Sequence, residues 1–133
     1  MITGYHHLSL TVTDLAASLA WYRDLFGLQQ VMEEKHDGGR AVVLMQPEAG
    51  LFIGLHEHDR NAGERFDETR TGLDHVSIGV PDRAALDRWL QTLADKEIVH
   101  SPISDQPWGS VLVFRDPDNI QLELCCPPAT GTH

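Results

Sequence analysis

The sequence predicts an α+β fold in which two tandem βαβββ modules form a curved mixed sheet around a groove. Three observations predict it: an ungapped internal repeat, strands whose two faces differ in polarity, and turn-forming clusters between them. The segment GYHHLSLTVTDLAASLAWYRDL from Gly4 aligns without a gap with GLDHVSIGVPDRAALDRWLQTL from Gly72. Gly4 meets Gly72, His7 meets His75, Val12 meets Val80, Asp14 meets Asp82 and Trp21 meets Trp89. Matches of such mixed chemistry in one window indicate a tandem duplication.

Each copy opens with a strand. His7, Ser9 and Thr11 alternate with Leu8, Leu10 and Val12, and His75, Ser77 and Gly79 alternate with Val76, Ile78 and Val80. Period-two patterning with β-branched residues marks a strand with one polar and one apolar face. A helix follows, capped by Asp14 or Asp82, whose short carboxylates can accept from the first free backbone N–H groups. Leu15, Leu19, Tyr22 and Phe26 have helical spacing in the first copy, as do Leu86, Trp89, Leu90 and Leu93 in the second. Gly27 is placed to end the first helix.

Three further strands complete each copy, near 28–35, 40–46 and 51–57, then near 97–101, 109–115 and 120–126. Asp37-Gly38-Gly39, residues 46–50, Pro102 to Pro107 and Asp116-Pro117-Asp118-Asn119 supply turn chemistry between them. The whole of 1–133 reads as one domain: module 1 over 1–57, a polar linker over 58–71 and module 2 over 72–128. Helices can cover only the apolar strand faces, so the faces carrying His7 and His75 should line a partly wet groove.

Composition excludes several partners. With 20 acidic and 10 basic residues the net charge is -10, a field that repels nucleic acid and anionic membranes. No apolar run approaches the ~20 residues that span a bilayer. The N-terminus lacks the charged and apolar regions of a signal peptide, so the expected location is the cytoplasm. Cys125 and Cys126 are adjacent and no CxxC pair exists; they read as small apolar strand residues.

The last strand also alternates, with Leu122 and Leu124 on one side and Gln121, Glu123 and Cys125 on the other. A carboxylate flanked by leucines is costly to bury unless it is paired or bound to metal. His7, His75 and Glu123 thus share polar strand faces, and two of them are repeat-equivalent. Two imidazoles and one carboxylate form an open site for Fe, Mn, Co, Ni or Zn, the groove becoming a metal-binding one.

HHLSLTVTDLAASLAWYRDLFGL and FRDPDNIQLEL resemble the opening and closing segments of the vicinal-oxygen-chelate superfamily. That superfamily includes glyoxalases, extradiol dioxygenases, fosfomycin-resistance enzymes and bleomycin-resistance proteins. The resemblance covers nearly the whole chain. It implies paired βαβββ modules, His7, His75 and Glu123 as metal ligands, and a metal that chelates vicinal oxygens of a small-molecule substrate. The usual closing turn is Asp-Pro-Asp-Gly, whereas this chain has Asn119 in the last place.

One departure bears on the reaction. Glyoxalase-type members take a fourth ligand from the last strand of the first module, where the position equivalent to Glu123 is Gly54. His56, two residues along the same face, is the substitute candidate, as a ligand or with Glu123 as a catalytic proton carrier. His58 continues that parity at the linker, while His6, His36, His100 and His133 read as surface or loop residues. Two enzyme expectations follow, a glyoxalase-like lyase or isomerase and an extradiol-type dioxygenase. The alternative is a metal-free drug-binding protein of bleomycin-resistance type, for which Phe52 and Trp108 are the candidate stacking residues. A homodimer is expected, since exchange of equivalent modules makes dimers at low cost.

Overall fold

A computed structural model describes residues 1–129, so His133 lies outside the described residues. The chain forms two compact units, Met1–Arg65 and a second from Phe66 onward. The first contains β1 (Leu8–Thr11), α1 (Leu15–Phe26), β2 (Gln29–His36), β3 (Gly39–Gln46) and β4 (Leu51–His58). The second contains β5 (Val76–Gly79), α2 (Arg83–Asp95), β6 (Ser104–Gln106), β7 (Gly109–Arg115) and β8 (Gln121–Cys126). Each unit is a βαβββ module with its own four-stranded mixed sheet, ordered β1-β4-β3-β2 and β5-β8-β7-β6. β1 runs parallel to β4, and β5 parallel to β8; the other pairs are antiparallel.

The helices begin where the sequence places their caps. Asp14 Oδ1 accepts from Ala17 N at 3.1 Å and Asp82 Oδ1 from Ala85 N at 2.7 Å. Gly27 ends α1 in the left-handed region at φ 64°, its N–H donating to the Arg23 carbonyl. The buried stripe of α1 is Leu15, Ser18, Tyr22, Leu25 and Phe26, with Leu19 half-buried. These residues lie over β4 and β3, where Leu44, Ile53 and Leu55 are fully buried. In the second unit, Leu86 and Leu93 meet Leu112, Phe114, Leu122 and Leu124 in the same way. Each such side chain contributes about 1.5–3 kcal/mol by leaving water. The apolar strand faces are therefore covered, and Ser9, Thr11, Ser77 and Gly79 remain exposed on the other side.

A second carboxylate serves the start of α1. Leu15 N donates to Glu57 Oε2 at 2.7 Å, and Arg40 Nε donates to Glu57 Oε1 at 3.1 Å. The Leu15 N–H first, then Arg40, holds the Glu57 carboxyl below its ordinary value of 4.5. On acidification the unfolded chain binds this proton before the folded one does. The contribution is thus complete above about pH 4.5 and disappears as pH falls through the folded value. Glu57→Ala should cost about 1 kcal/mol at neutral pH, as loss of a helix cap does. Thermal melts of both proteins from pH 6 down to pH 3 should show their difference shrinking below pH 4.5.

One strand is not where the sequence reading put it. The run 97–101 was expected as a strand; it makes only a single bridge, His100 to Phe114, and the strand proper is Ser104–Gln106. No glycine closes α2, so Glu97 adopts φ 58° and turns the chain. Pro102 then interrupts any ladder, because it has no N–H to donate. The unit boundary falls between Arg65 and Phe66, inside the 58–71 segment read as linker. Phe66 N donates to the Asp118 carbonyl and Asn119 Nδ2 to the Phe66 carbonyl, fastening the later part of that segment to the β7–β8 turn.

Candidate metal centre

In the second unit β5 and β8 are parallel neighbours, with Ser77 opposite Glu123. The Ser77 hydroxyl donates to Glu123 Oε1 at 2.8 Å, and Val113 flanks Glu123 on its other side. One carboxylate oxygen is thereby held and the other is left for a further partner. His75 immediately precedes β5, on the face shared by Ser77. Its Nδ1 lies 2.6 Å from Asp74 Oδ1. With that nitrogen donating to the carboxylate, Nε2 carries the lone pair, the arrangement in which histidines ligate metals.

Asp74 is itself held. Gln121 Nε2 donates to Asp74 Oδ1 at 3.3 Å, and Arg115 donates to the Gln121 side-chain oxygen at 3.1 Å. Arg115 also forms a two-pronged pair with Glu68 at 2.8 and 2.9 Å, which brings the Glu68 carboxyl down to about 2. A chain of contacts from Glu68 to His75 thus fixes the ring's orientation.

The first unit repeats the frame with one residue missing. Ser9 stands opposite Gly54, and Val43 flanks Gly54, as Ser77 and Val113 do for Glu123. Gly54 therefore occupies the register position of Glu123. A Cβ built there would come within 2.6 Å of Ser9 Oγ and 3.5 Å of His56 Nε2. The His56 ring thus leans back towards the place the absent side chain would fill. His7 is exposed, and its Nδ1 lies 2.8 Å from His6 Nδ1. His6 and Asp74 are repeat-equivalent, so each candidate histidine has a hydrogen-bonding neighbour one residue before it. Burial first, then the neighbouring His36 and His58, lowers the His56 pKa and favours its neutral, lone-pair-bearing form.

Among the described residues no group of three or more His, Cys, Asp or Glu side chains is placed to hold a metal ion. What each unit contains are separate candidate donors on one strand face, His75 and Glu123 in the second and His7 and His56 in the first. Their donor types and outer hydrogen bonds fit a divalent ion. His36, read from sequence as a surface or loop residue, is instead half-buried and packed against His56 and His58, with ring centroids 5.8 and 5.6 Å away. His100 is half-buried too, bonded to the Ser101 carbonyl. A shallow depression beside Arg23 and Leu28, at the start of β2, contains none of the candidate ligands.

Asp74 escaped the sequence reading although it adjoins His75, because only the fold shows which way its carboxylate turns. Replacing it tests its part. Asp74→Ala should weaken divalent-metal binding about 10- to 100-fold, the usual cost of losing an outer-shell partner. Competition with a chromophoric chelator measures this, and Asp74→Glu should recover part of the loss.

Residues 4–124 match the family model described as the Glyoxalase/Bleomycin resistance protein/Dioxygenase superfamily. The chain belongs to this superfamily. A glyoxylase/bleomycin resistance protein/dioxygenase domain from Frankia sp. EAN1pec shares its fold at TM-score 0.89 and 37% identity, over 100% of this chain and 97% of that one. The putative ring-cleaving dioxygenase MhqA of Bacillus subtilis is 27% identical over 91% of this chain. The chain spans 39% of that relative's length. The fosfomycin resistance protein FosX of Listeria monocytogenes, crystallised with Mn(II) and sulfate, has the same fold at TM-score 0.69 and 20% identity, over 97% of this chain and 96% of that one. Superfamily membership accounts for the βαβββ duplication, and the superfamily's description names glyoxalases, bleomycin resistance proteins and dioxygenases. No described helix is long and apolar enough to cross a membrane.

Proposed function

We propose that this superfamily member is a divalent-metal-dependent enzyme acting on a small molecule with two neighbouring oxygens, most nearly an extradiol-type dioxygenase. Its ligands are His7, His75 and Glu123, and it works as a cytoplasmic homodimer. The observation that supports this reading is that two donors on one strand face of the second unit are each held by a neighbour. His75 is fixed through Nδ1 by Asp74 and Glu123 through Oε1 by Ser77, so each keeps one donor atom uncommitted.

The bound metal would supply Lewis acidity, polarising the two substrate oxygens together. The chain's own residues do the rest. Asp74 and Gln121 keep His75 in one tautomer. Neutral His56 can accept a proton from a substrate hydroxyl, a general-base role suited to a group whose pKa lies below its ordinary 6.5. Gly54 adds no fourth carboxylate, which leaves positions open for substrate and a second reactant.

His56 also favours a second reading. Its Nε2 leans over Gly54, so it could complete a four-ligand set of the glyoxalase-like lyase or isomerase kind. A metal-free binder of flat ligands has one observation in its favour, the Phe52 ring stacked on His6 with centroids 6.4 Å apart.

Chelator-stripped protein, reloaded singly with Fe(II), Mn(II), Co(II), Ni(II) or Zn(II), separates the three. The dioxygenase predicts oxygen consumption with a catechol only in the Fe(II) or Mn(II) sample. Hemithioacetal isomerisation in the Ni(II), Co(II) or Zn(II) sample would replace it by the lyase reading. Undiminished affinity for an aromatic ligand after stripping, with no turnover under any metal, would overturn both in favour of the binder.

A further inference from the structure

The two units repeat one ladder, and its register pairs their positions. Between β3 and β4, Val43 stands opposite Gly54 and Met45 opposite Phe52; between β7 and β8, Val113 stands opposite Glu123 and Arg115 opposite Gln121. Gly54 therefore corresponds to Glu123, Phe52 to Gln121 and Met45 to Arg115. In the second unit these positions carry the polar chain that reaches His75: Arg115 donates to Gln121 at 3.1 Å and Gln121 to Asp74 at 3.3 Å. In the first unit they carry a phenyl ring, a thioether and, at Gly54, no side chain at all.

These apolar replacements serve no core. The core of the first unit lies on the other face, under α1, where Val42, Leu44, Ile53 and Leu55 are at most 2% exposed. Phe52, Met45 and Val43 are half-buried on the wet face, and Met32, opposite Val43 in the same row, is 50% exposed. Directly opposed residues have Cβ atoms roughly 4.5–5.5 Å apart, so the four side chains form one patch. Charge on this face is one-sided too. The strands of the unit contain two basic residues, Lys35 and Arg40, and both stand in the row of Glu57, whose carboxylate turns to the start of α1. Glu34 shares the row of His56 instead. An anionic ligand would meet a carboxylate here and no strand cation.

We propose that Phe52, Met45, Val43 and Met32 are the specificity-determining surface for the substrate and take its uncharged apolar body, an aryl or branched alkyl group. This surface belongs to the metal-dependent site proposed above and depends on that reading. Continuity with the candidate donors places it there. The Phe52 ring stacks on His6 with centroids 6.4 Å apart, and His6 Nδ1 lies 2.8 Å from His7 Nδ1. Gly54 and His56 follow Phe52 along the same face of β4. The substrate's two oxygens would lie towards the imidazoles while its apolar part covers the phenyl ring and the thioethers, whose flexible chains adapt to irregular shapes. Substrates carrying a carboxylate, phosphate or phosphonate are disfavoured, since Arg115, the register counterpart of Met45, forms its two-pronged pair with Glu68.

Equilibrium dialysis of the full chain against catechol, 3-phenylcatechol and 3,4-dihydroxybenzoate tests this, with protein loaded anaerobically with Fe(II) and with chelator-stripped protein. The phenyl compound should bind the loaded protein at least about tenfold more tightly than catechol, the scale of apolar discrimination in a pocket, and the carboxylate compound no more tightly than catechol. Met45→Arg, which copies the second unit's residue, should cancel the phenyl preference and turn it towards the carboxylate. Phe52→Ala should reduce the phenyl preference several-fold, and it keeps the test valid if Met45→Arg misfolds. Equal affinity for the phenyl compound and catechol, or a ratio indifferent to both variants, would overturn the assignment. So would a fall from dimer to monomer in Met45→Arg with the ratio unchanged, the face then being a contact between copies. Failure of the metal-dependent reading gives a different pattern. The phenyl preference and its dependence on Phe52 and Met45 then survive stripping, while affinity for all three compounds ignores the metal and Glu123→Gln.

Discussion

Glu123→Gln is expected to lower affinity for the proposed divalent ion by well over 100-fold while the protein stays folded. Losing an outer-shell partner costs about 10- to 100-fold; on the proposed assignment this change removes a ligand and the only negative charge of His7, His75 and Glu123. Glutamine keeps the volume of the side chain and an oxygen for Ser77, whose hydroxyl donates to Glu123 at 2.8 Å. Glu123 is half-buried between Ser77 and Val113, while its neighbours Leu122 and Leu124 are about 1% exposed on the opposite face. The core is thus untouched and the melting temperature should scarcely move. Metal affinity and melting temperature measured on the same preparation check both halves of the expectation.

Asp116→Ala should have the opposite signature, a large loss of stability. Asp116 is 6% exposed and opens the turn that leads into β8. One of its oxygens accepts from Asp118 N at 2.9 Å and Ile120 N at 2.8 Å. Alanine would leave both buried donors unsatisfied, at about 1–3 kcal/mol each, so a total near 2–4 kcal/mol is expected once partial relaxation is allowed. Asn119 sits in the same turn at φ 69°, a conformation asparagine tolerates better than most residues. Chemical denaturation should show the loss with Asp116→Ala and a smaller one with Asp116→Asn, which keeps a side-chain oxygen. Asn119→Gly relieves the left-handed backbone but gives up the Asn119 Nδ2 bond to the Phe66 carbonyl, so a loss of about 1 kcal/mol is expected.

The duplicated βαβββ order was legible because each element carries a local signal: alternation in β1, β5 and β8, aspartate caps on both helices, and glycine after α1. β6 was not. Ile98, Val99 and His100 have strand composition, but Glu97 turns left-handed and Pro102 has no donor, so the pairing moves to Ser104–Gln106. Candidate donors could be assigned to faces by parity, and the equivalence of Gly54 with Glu123 agrees with the strand register. The hydrogen bonds that orient those donors were not legible. Asp74 and Ser77 act through side-chain direction, which period-two patterning does not specify. His36 looked like a loop residue because only the hairpin register places it opposite Gly39 and near His58.

Anomalous diffraction from crystals of the reloaded protein, collected at the absorption edge of the bound metal, tests the central claim most directly. The account predicts a peak within about 2.0–2.2 Å of donor atoms of His7, His75 and Glu123, the ordinary range for nitrogen and carboxylate ligands. A peak confined to His36, His56 and His58, or none on protein that turns over substrate, would contradict it.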